Sequence, residues 1–153
     1  MWLKLRQRNS QIIWREIQTW SDCEASGCQF IRAENYVFSH VADEGLMAEA
    51  SAGPLLRFRR SIGAQHVAVL ADVKKKHSAH ALTADVDVVE TVRAATFFQA
   101  DGVVITGSGT GFAADSLELR KIKACRGISI LAGCFPGSCN LVYVGIHRGF
   151  PPT

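Results

Sequence analysis

An aspartate ends the apolar run His66-Val-Ala-Val-Leu-Ala-Asp-Val73, and three lysines, Lys74, Lys75 and Lys76, follow it. A carboxylate at the end of a buried strand is either desolvated, with a raised pKa, or paired with a cation such as Lys74. Either state suits acid–base work by Asp72, and the plainer alternative is an ion pair that holds the loop. A second run, Gly102-Val-Val-Ile105, breaks into Thr106-Gly-Ser-Gly-Thr-Gly111. Glycine permits both φ > 0 and close approach. Thr106, Gly107, Ser108, Gly109 and Thr110 can therefore turn N–H groups and hydroxyls toward a phosphate, with a helix N-terminus behind them. A tight turn without a ligand uses the same residues.

Other candidates sit at equivalent places. Glu34 and Asn35 follow Cys28-Gln-Phe-Ile-Arg-Ala33 and lead into a long polar loop containing His40. Loops of that length at a strand end usually carry sites. Glu34 joins Asp72 and Lys74 as a catalytic candidate; Asn35, His40, His77 and Gly133 join the glycine loop as ligand-binding candidates. His77 and His80 with Asp72, or Glu34 with His40, have the chemistry of metal ligands, but spacing does not bring them together. Loop histidines bonded to backbone are the alternative, so no metal site is assigned, and no cofactor is indicated.

These residues need strands to carry them. A mixed polar and apolar stretch from Ser10 to Ala25 reads as a helix closed by Ser26-Gly27. Strands follow at 28–33, 66–73, 102–106 and 128–132, and 66–73 has the near-continuous apolar character that a strand buried on both faces requires. Helices are expected over 46–61 and 85–99, and from Asp115 or Ser116 to Lys123. The fold class is α/β, with about four parallel βα units, the last incomplete: part of a (β/α)8 barrel, which needs about 250 residues. The organisation is an N-terminal segment over 1–25, the partial barrel over 26–140 and a divergent tail over 141–153.

The 153 residues are 48% hydrophobic and 20% charged, which fits one globular domain and excludes disorder. Seventeen basic and fourteen acidic residues give a net charge of +3 without a long basic tract, so nucleic acid is not an expected partner. No apolar run approaches the roughly 20 residues of a membrane helix. The five cysteines, odd in number and irregularly spaced, suggest a reducing compartment. Lys4, Arg6, Arg8 and Arg15 precede any acidic residue, as in a mitochondrial presequence or a basic first helix. The expected location is intracellular, cytoplasmic or mitochondrial.

Gln29–Asn35, His40–Gly45, Leu70–His77, Gly102–Gly111 and Ile130–Gly133 together, in order and spacing, resemble the BtpA/SgcQ family of TIM-barrel proteins. The resemblance runs from about Glu24 to Asn140 and covers what look like the fourth to seventh βα units. It implies a (β/α)8 barrel related to the phosphate-binding barrels, with working residues at the strand C-terminal ends. The cyanobacterial namesake is associated with the thylakoid surface and photosystem I accumulation, bacterial relatives sit with sugar utilisation, and no reaction is assigned. The expected ligand is thus a phosphorylated or sugar-like small molecule; the alternative is a non-catalytic assembly or interaction protein.

The chain departs from the family after Gly133, where Cys134-Phe135 replaces a Gly-Ser-Gly type loop, and the first three units are absent. A half barrel leaves unpaired strand edges. A truncated isoform, a partial gene product or one half of a homo-oligomer is expected.

Overall fold

The computed structural model describes residues 10–12, 29–43, 45–108, 112–125, 127–133 and 142–145. A six-stranded sheet takes β1 (Ser10–Ile12), β2 (Phe30–Ala33), β5 (Ala68–Val73), β7 (Gly102–Thr106), β8 (Ser129–Gly133) and β9 (Val142–Gly145) in that order. All neighbours are parallel except β8 and β9. Strands laid down in chain order with parallel partners form the arrangement of one side of a (β/α) barrel; closure of a barrel is not among the described residues.

Alternation divides the sheet into two faces. Ile31, Val69, Ala71, Val103, Ile105 and Ile130 pack with Leu55 of α1 (Ala52–Ser61), Val92 and Ala95 of α2 (Val88–Phe97) and Ile122 of α3 (Ser116–Lys123). Phe30, Leu70, Val104 and Leu131 form a separate cluster of the other parity. A strand buried on both faces needs apolar residues at every position, which is why β5, β7 and β8 read so clearly. Asp87 Oδ1 accepts from Glu90 N, and Asp115 Oδ1 from Leu117 N, each at 2.7 Å. These caps fix the starts of α2 and α3.

Three expectations are corrected. The stretch expected to be helical from Ser10 begins instead as β1, where Ile12 supplies a β-branched side chain and β2 a partner; the remainder, 13–28, lies outside the described residues. The loop after Glu34 is structured: β3 (His40–Ala42) pairs antiparallel with β4 (Gly45–Met47) and with β6 (Ser78–Ala79). Gly45, at φ 118°, opens β4 in a conformation side chains rarely adopt. Finally, the helix expected from Leu46 starts at Ala52. Proline is tolerated only in a first turn, so Pro54 sets that start.

β9 runs against β8. Parallel neighbours need a crossover of about a dozen residues or more, and 134–141 is shorter than that. β9 therefore takes the β8 edge on which a further parallel strand would pair. Closing two copies through that edge requires its displacement.

Candidate functional site

Parallel register sets the C-terminal ends of β2, β5, β7 and β8 side by side, with Ala33 opposite Ala71, Asp72 opposite Val104 and Thr106 opposite Gly133. The three-stranded sheet β4–β3–β6 contributes at this end. Its attachment is specific: Asn35 Nδ2 donates to Glu49 O at 2.5 Å and to Met47 O at 3.4 Å, while Ser51 N donates to Asn35 O. Asn35 thus ties the β4–α1 connection to the end of β2. Glu34, Tyr36, His40, Asp72, Lys74, Lys75, His80 and Thr83 are among the residues lining one cavity of about 20 Å³, room for a water or two.

Asp72 is among these lining residues, its side chain 1% exposed. The partner is Arg32, whose Nε donates to Asp72 Oδ1 at 2.7 Å. Arg32 stands opposite Leu70 in register, two residues below Asp72 and on the same face. Asp72 Oδ2 has no hydrogen-bond partner among the described residues. Burial pushes the Asp72 carboxyl above its usual range, and the charge and hydrogen bond of Arg32 pull against that shift.

Lys74 is not the cation that pairs with Asp72. Its φ of 46° ends the strand geometry, and its Nζ donates to Thr83 O at 2.9 Å and to Thr83 Oγ1 at 3.2 Å. It anchors the loop after β5. Lys75 reaches Glu34 Oε2 at 2.7 Å and lies 3.9 Å from Asp43 Oδ1. The Glu34–Lys75 pair is mostly buried, at 10% and 12% exposure.

His40 is buried, with Nε2 lacking a partner among the described residues. Burial lowers its pKa, a ring hydrogen bond to the Phe38 backbone opposes that, and His80 and Lys75 lower it further. The rings of His40 and His80 are 5.4 Å apart, and His80 Nε2 bonds to Lys75 O at 3.0 Å. Among the described residues no three of His, Cys, Asp and Glu meet as a metal site requires. Cys125 is a free thiol; the other cysteines lie outside the described residues.

The remaining candidates separate. His77 is exposed and does not line the cavity. Thr106 Oγ1 accepts from Lys76 N at 3.3 Å, stitching the loops after β5 and β7. Gly133 ends β8 opposite Thr106, Ser108 is exposed, and Gly109 and Thr110 lie outside the described residues. Gly107 is needed for a close approach by the chain itself. A Cβ there would collide with Phe112 O and lie 2.6 Å from Ala113 O. Gly107→Ala is therefore expected to displace this loop and to cost about 1–3 kcal/mol in urea unfolding; an unchanged midpoint would mean that the loop has other room.

The match for the BtpA family covers residues 11–143. The chain belongs to the BtpA family. This BtpA-family chain is 47% identical over 108 residues to an uncharacterised mitochondrial protein of Caenorhabditis elegans, an alignment covering 71% of the chain and 39% of the relative. It is 32% identical over 120 residues to an uncharacterised protein of Pyrococcus abyssi, covering 74% and 44%. An uncharacterised protein of Archaeoglobus fulgidus is 27% identical over 110 residues, covering 72% and 42%. The chain thus spans about two fifths of the length of these curated relatives. No solved structure matches it significantly. No helix of the described residues is long and apolar enough to cross a membrane.

Proposed function

We propose that this chain forms the ligand-facing part of a BtpA-type (β/α) barrel and binds a phosphorylated or sugar-like small molecule at the strand C-terminal ends, with Asp72 as acid–base group. The observation that carries this reading is the buried, unpartnered Asp72 Oδ2 lining the cavity. Buried polar groups are normally satisfied, and a ligand hydroxyl is the kind of group that satisfies a carboxylate. Glu34 and Lys75 supply a neighbouring ion pair. Thr106 ends the adjacent strand, and the glycine-rich segment that follows it in the sequence is the proposed anion side. The mitochondrial relative and the basic first fifteen residues support a mitochondrial location.

The test is ligand-observed NMR with a panel of pentose and hexose monophosphates and the free sugars. Binding is expected for at least one, weakened about tenfold or more in Asp72→Asn, because a hydrogen bond to a charged group contributes about 1.5–3 kcal/mol. No binding to the unaltered chain, or equal binding by the variant, would remove the reading.

An interaction role is the second reading. Phe97 and Phe112, 80% and 65% exposed, favour it. Under that reading Asp72→Asn leaves partner binding unchanged.

A further inference from the structure

We propose that the groove between α2 and α3 is a two-fold interface, on which the same surface of a second copy of this chain docks antiparallel to the first. This gives the interaction reading above, on which it rests, a partner; the Asp72 cavity shares no lining residue with the groove.

The two helices build the groove. α2 packs on β5 and β7 and touches α3, while Val92 and Ala95 of α2 and Ile122 of α3 turn into the core. Their opposite faces form the outer surface, with a groove of about 750 Å3 between them. Val89, Arg93 and Phe97, spaced by four residues, line it from α2, and Lys121, Ala124 and Cys125 from α3 and its end. α2 connects β5 to β7 and α3 connects β7 to β8, so the groove sits on the helix side of the middle of the sheet. Docking there leaves β9 and both sheet edges in place.

Phe97 is the most exposed large apolar side chain among the described residues. Its ring meets that of Phe98 edge-on, with centroids 5.4 Å apart, which orders it before any partner arrives. A protruding aromatic beside a groove is the kind of anchor that interfaces bury.

The order of charges selects a second copy as the occupant. Glu90 precedes Arg93 by three residues on α2, with Oε2 3.4 Å from Nη1, and Glu118 precedes Lys121 by three on α3. All four are exposed, and an exposed pair within one helix contributes little by itself. α2 and α3 run in the same direction, each returning from one parallel strand to the next. A two-fold axis that crosses both helices between acid and base lays each antiparallel on its own counterpart. Glu90 then meets Arg93 of the other copy, and Glu118 meets its Lys121, each contact occurring twice by symmetry. Phe97, one turn past Arg93, lies over Val86 of the other copy. The helices have ten and eight residues, only about 15 and 12 Å of rise. The contact is therefore smaller than the roughly 800 Å2 per partner of a standard interface, and the dimer is expected to be weak, with a Kd of micromolar order.

Sedimentation of the full 153-residue chain from about 5 to 500 μM tests this. The unaltered chain is expected to pass from monomer to dimer over that range. Glu90→Arg and Arg93→Glu each bring like charges together twice, and each should weaken self-association about tenfold or more. Mixed in equal amounts, the two variants should associate with each other about as well as the unaltered chain does, because one carries two cations and the other two carboxylates at positions 90 and 93. Phe97→Ser should also weaken association while moving the urea midpoint little, since the ring is exposed; it decides the matter if a charge variant does not fold. A chain that stays monomeric throughout overturns the proposal, and an interaction role then needs a different protein. Dimers that form equally well in all three variants place the contact elsewhere and overturn this surface while leaving the interaction reading standing. Weakening by both charge reversals without rescue on mixing shows that these charges do not face each other across a two-fold, and overturns it as well.

Discussion

Arg32→Ala is expected to destabilise the chain by about 3–5 kcal/mol at neutral pH, the cost of breaking a buried ion pair by removing one partner. Asp72 is almost wholly buried, and Oδ1 takes its hydrogen bond from Arg32 Nε. Its other oxygen already lacks a partner among the described residues. Removing the guanidinium therefore leaves a buried carboxylate without its charge partner. Arg32→Met combined with Asp72→Leu should recover most of the loss, because apolar replacement of both partners avoids desolvation. Urea unfolding of the single and double variants checks this; a loss under about 1 kcal/mol would show Asp72 to be more hydrated than its burial indicates.

The same variant makes a pH prediction of definite sign. Burial holds the folded-state carboxyl above the ordinary value of about 3.9. The folded state thus keeps its proton where the unfolded chain has lost it. This contribution to stability is fully present below that ordinary value and is lost as pH rises through the folded value. Arg32 limits the loss, so the deficit of Arg32→Ala should widen as pH rises and close again in acid. His40 acts oppositely: its lowered pKa means stability is lost as pH falls below about 6.5 and through the folded value. A deficit independent of pH would assign the effect of Arg32 to packing.

The sheet was readable because a doubly buried parallel strand leaves little choice of residue. Expected and observed bounds of β5, β7 and β8 differ by no more than a couple of residues, the usual scatter of element ends. The cap at Asp115 made the start of α3 legible in the same way, whereas α2 starts at Val88 behind the cap of Asp87, three residues after the expected start at Asp85. The β3–β4–β6 sheet was not legible. Its strands have two or three residues each, and β6 is remote in sequence from its partner, so no local period reveals the pairing. Pro54 carried a signal for the start of α1 that the apolar spacing of Leu55, Leu56 and Phe58 obscured.

At the site, Glu34, His40 and Asp72 follow from strand ends and do share a cavity. The cation roles did not transfer. Strand alternation stops at the end of β5, where Lys74 leaves the extended region and the next residue becomes the partner of Glu34. Arg32 was missed, although parity within Phe30-Ile-Arg-Ala33 puts it on the face of Leu70 and Asp72. A charged residue inside a buried strand, on the face of a carboxylate, is the signal. Lys75 and His80 depend on loop geometry and carry no comparable sequence mark.

Leu70→Ala should cost about 2–5 kcal/mol, the range for a buried leucine that leaves a cavity. The reason it belongs with Gly102 is steric. A Cβ at Gly102 would lie 2.7 Å from Leu70 Cδ2 and 3.2 Å from Leu131 Cδ1. Gly102→Ala alone is then expected to cost about 1–3 kcal/mol by overpacking. Combining the two changes lets the new methyl occupy space vacated by the old side chain, so the double variant should be more stable than the sum by about 0.5–3 kcal/mol. This cycle reads the face opposite the helices, the one a closed barrel would turn inward. Phe30, Leu70, Val104 and Leu131 are buried there in a chain that spans about two fifths of its relatives. Large costs with strong coupling mean that this face is a packed core in the chain by itself. Costs under about 1 kcal/mol, well below those of a packed site, would mean that the leucine layer is dry only when the rest of a longer barrel covers it, and the Arg32–Asp72 pair above it would be solvated to the same extent.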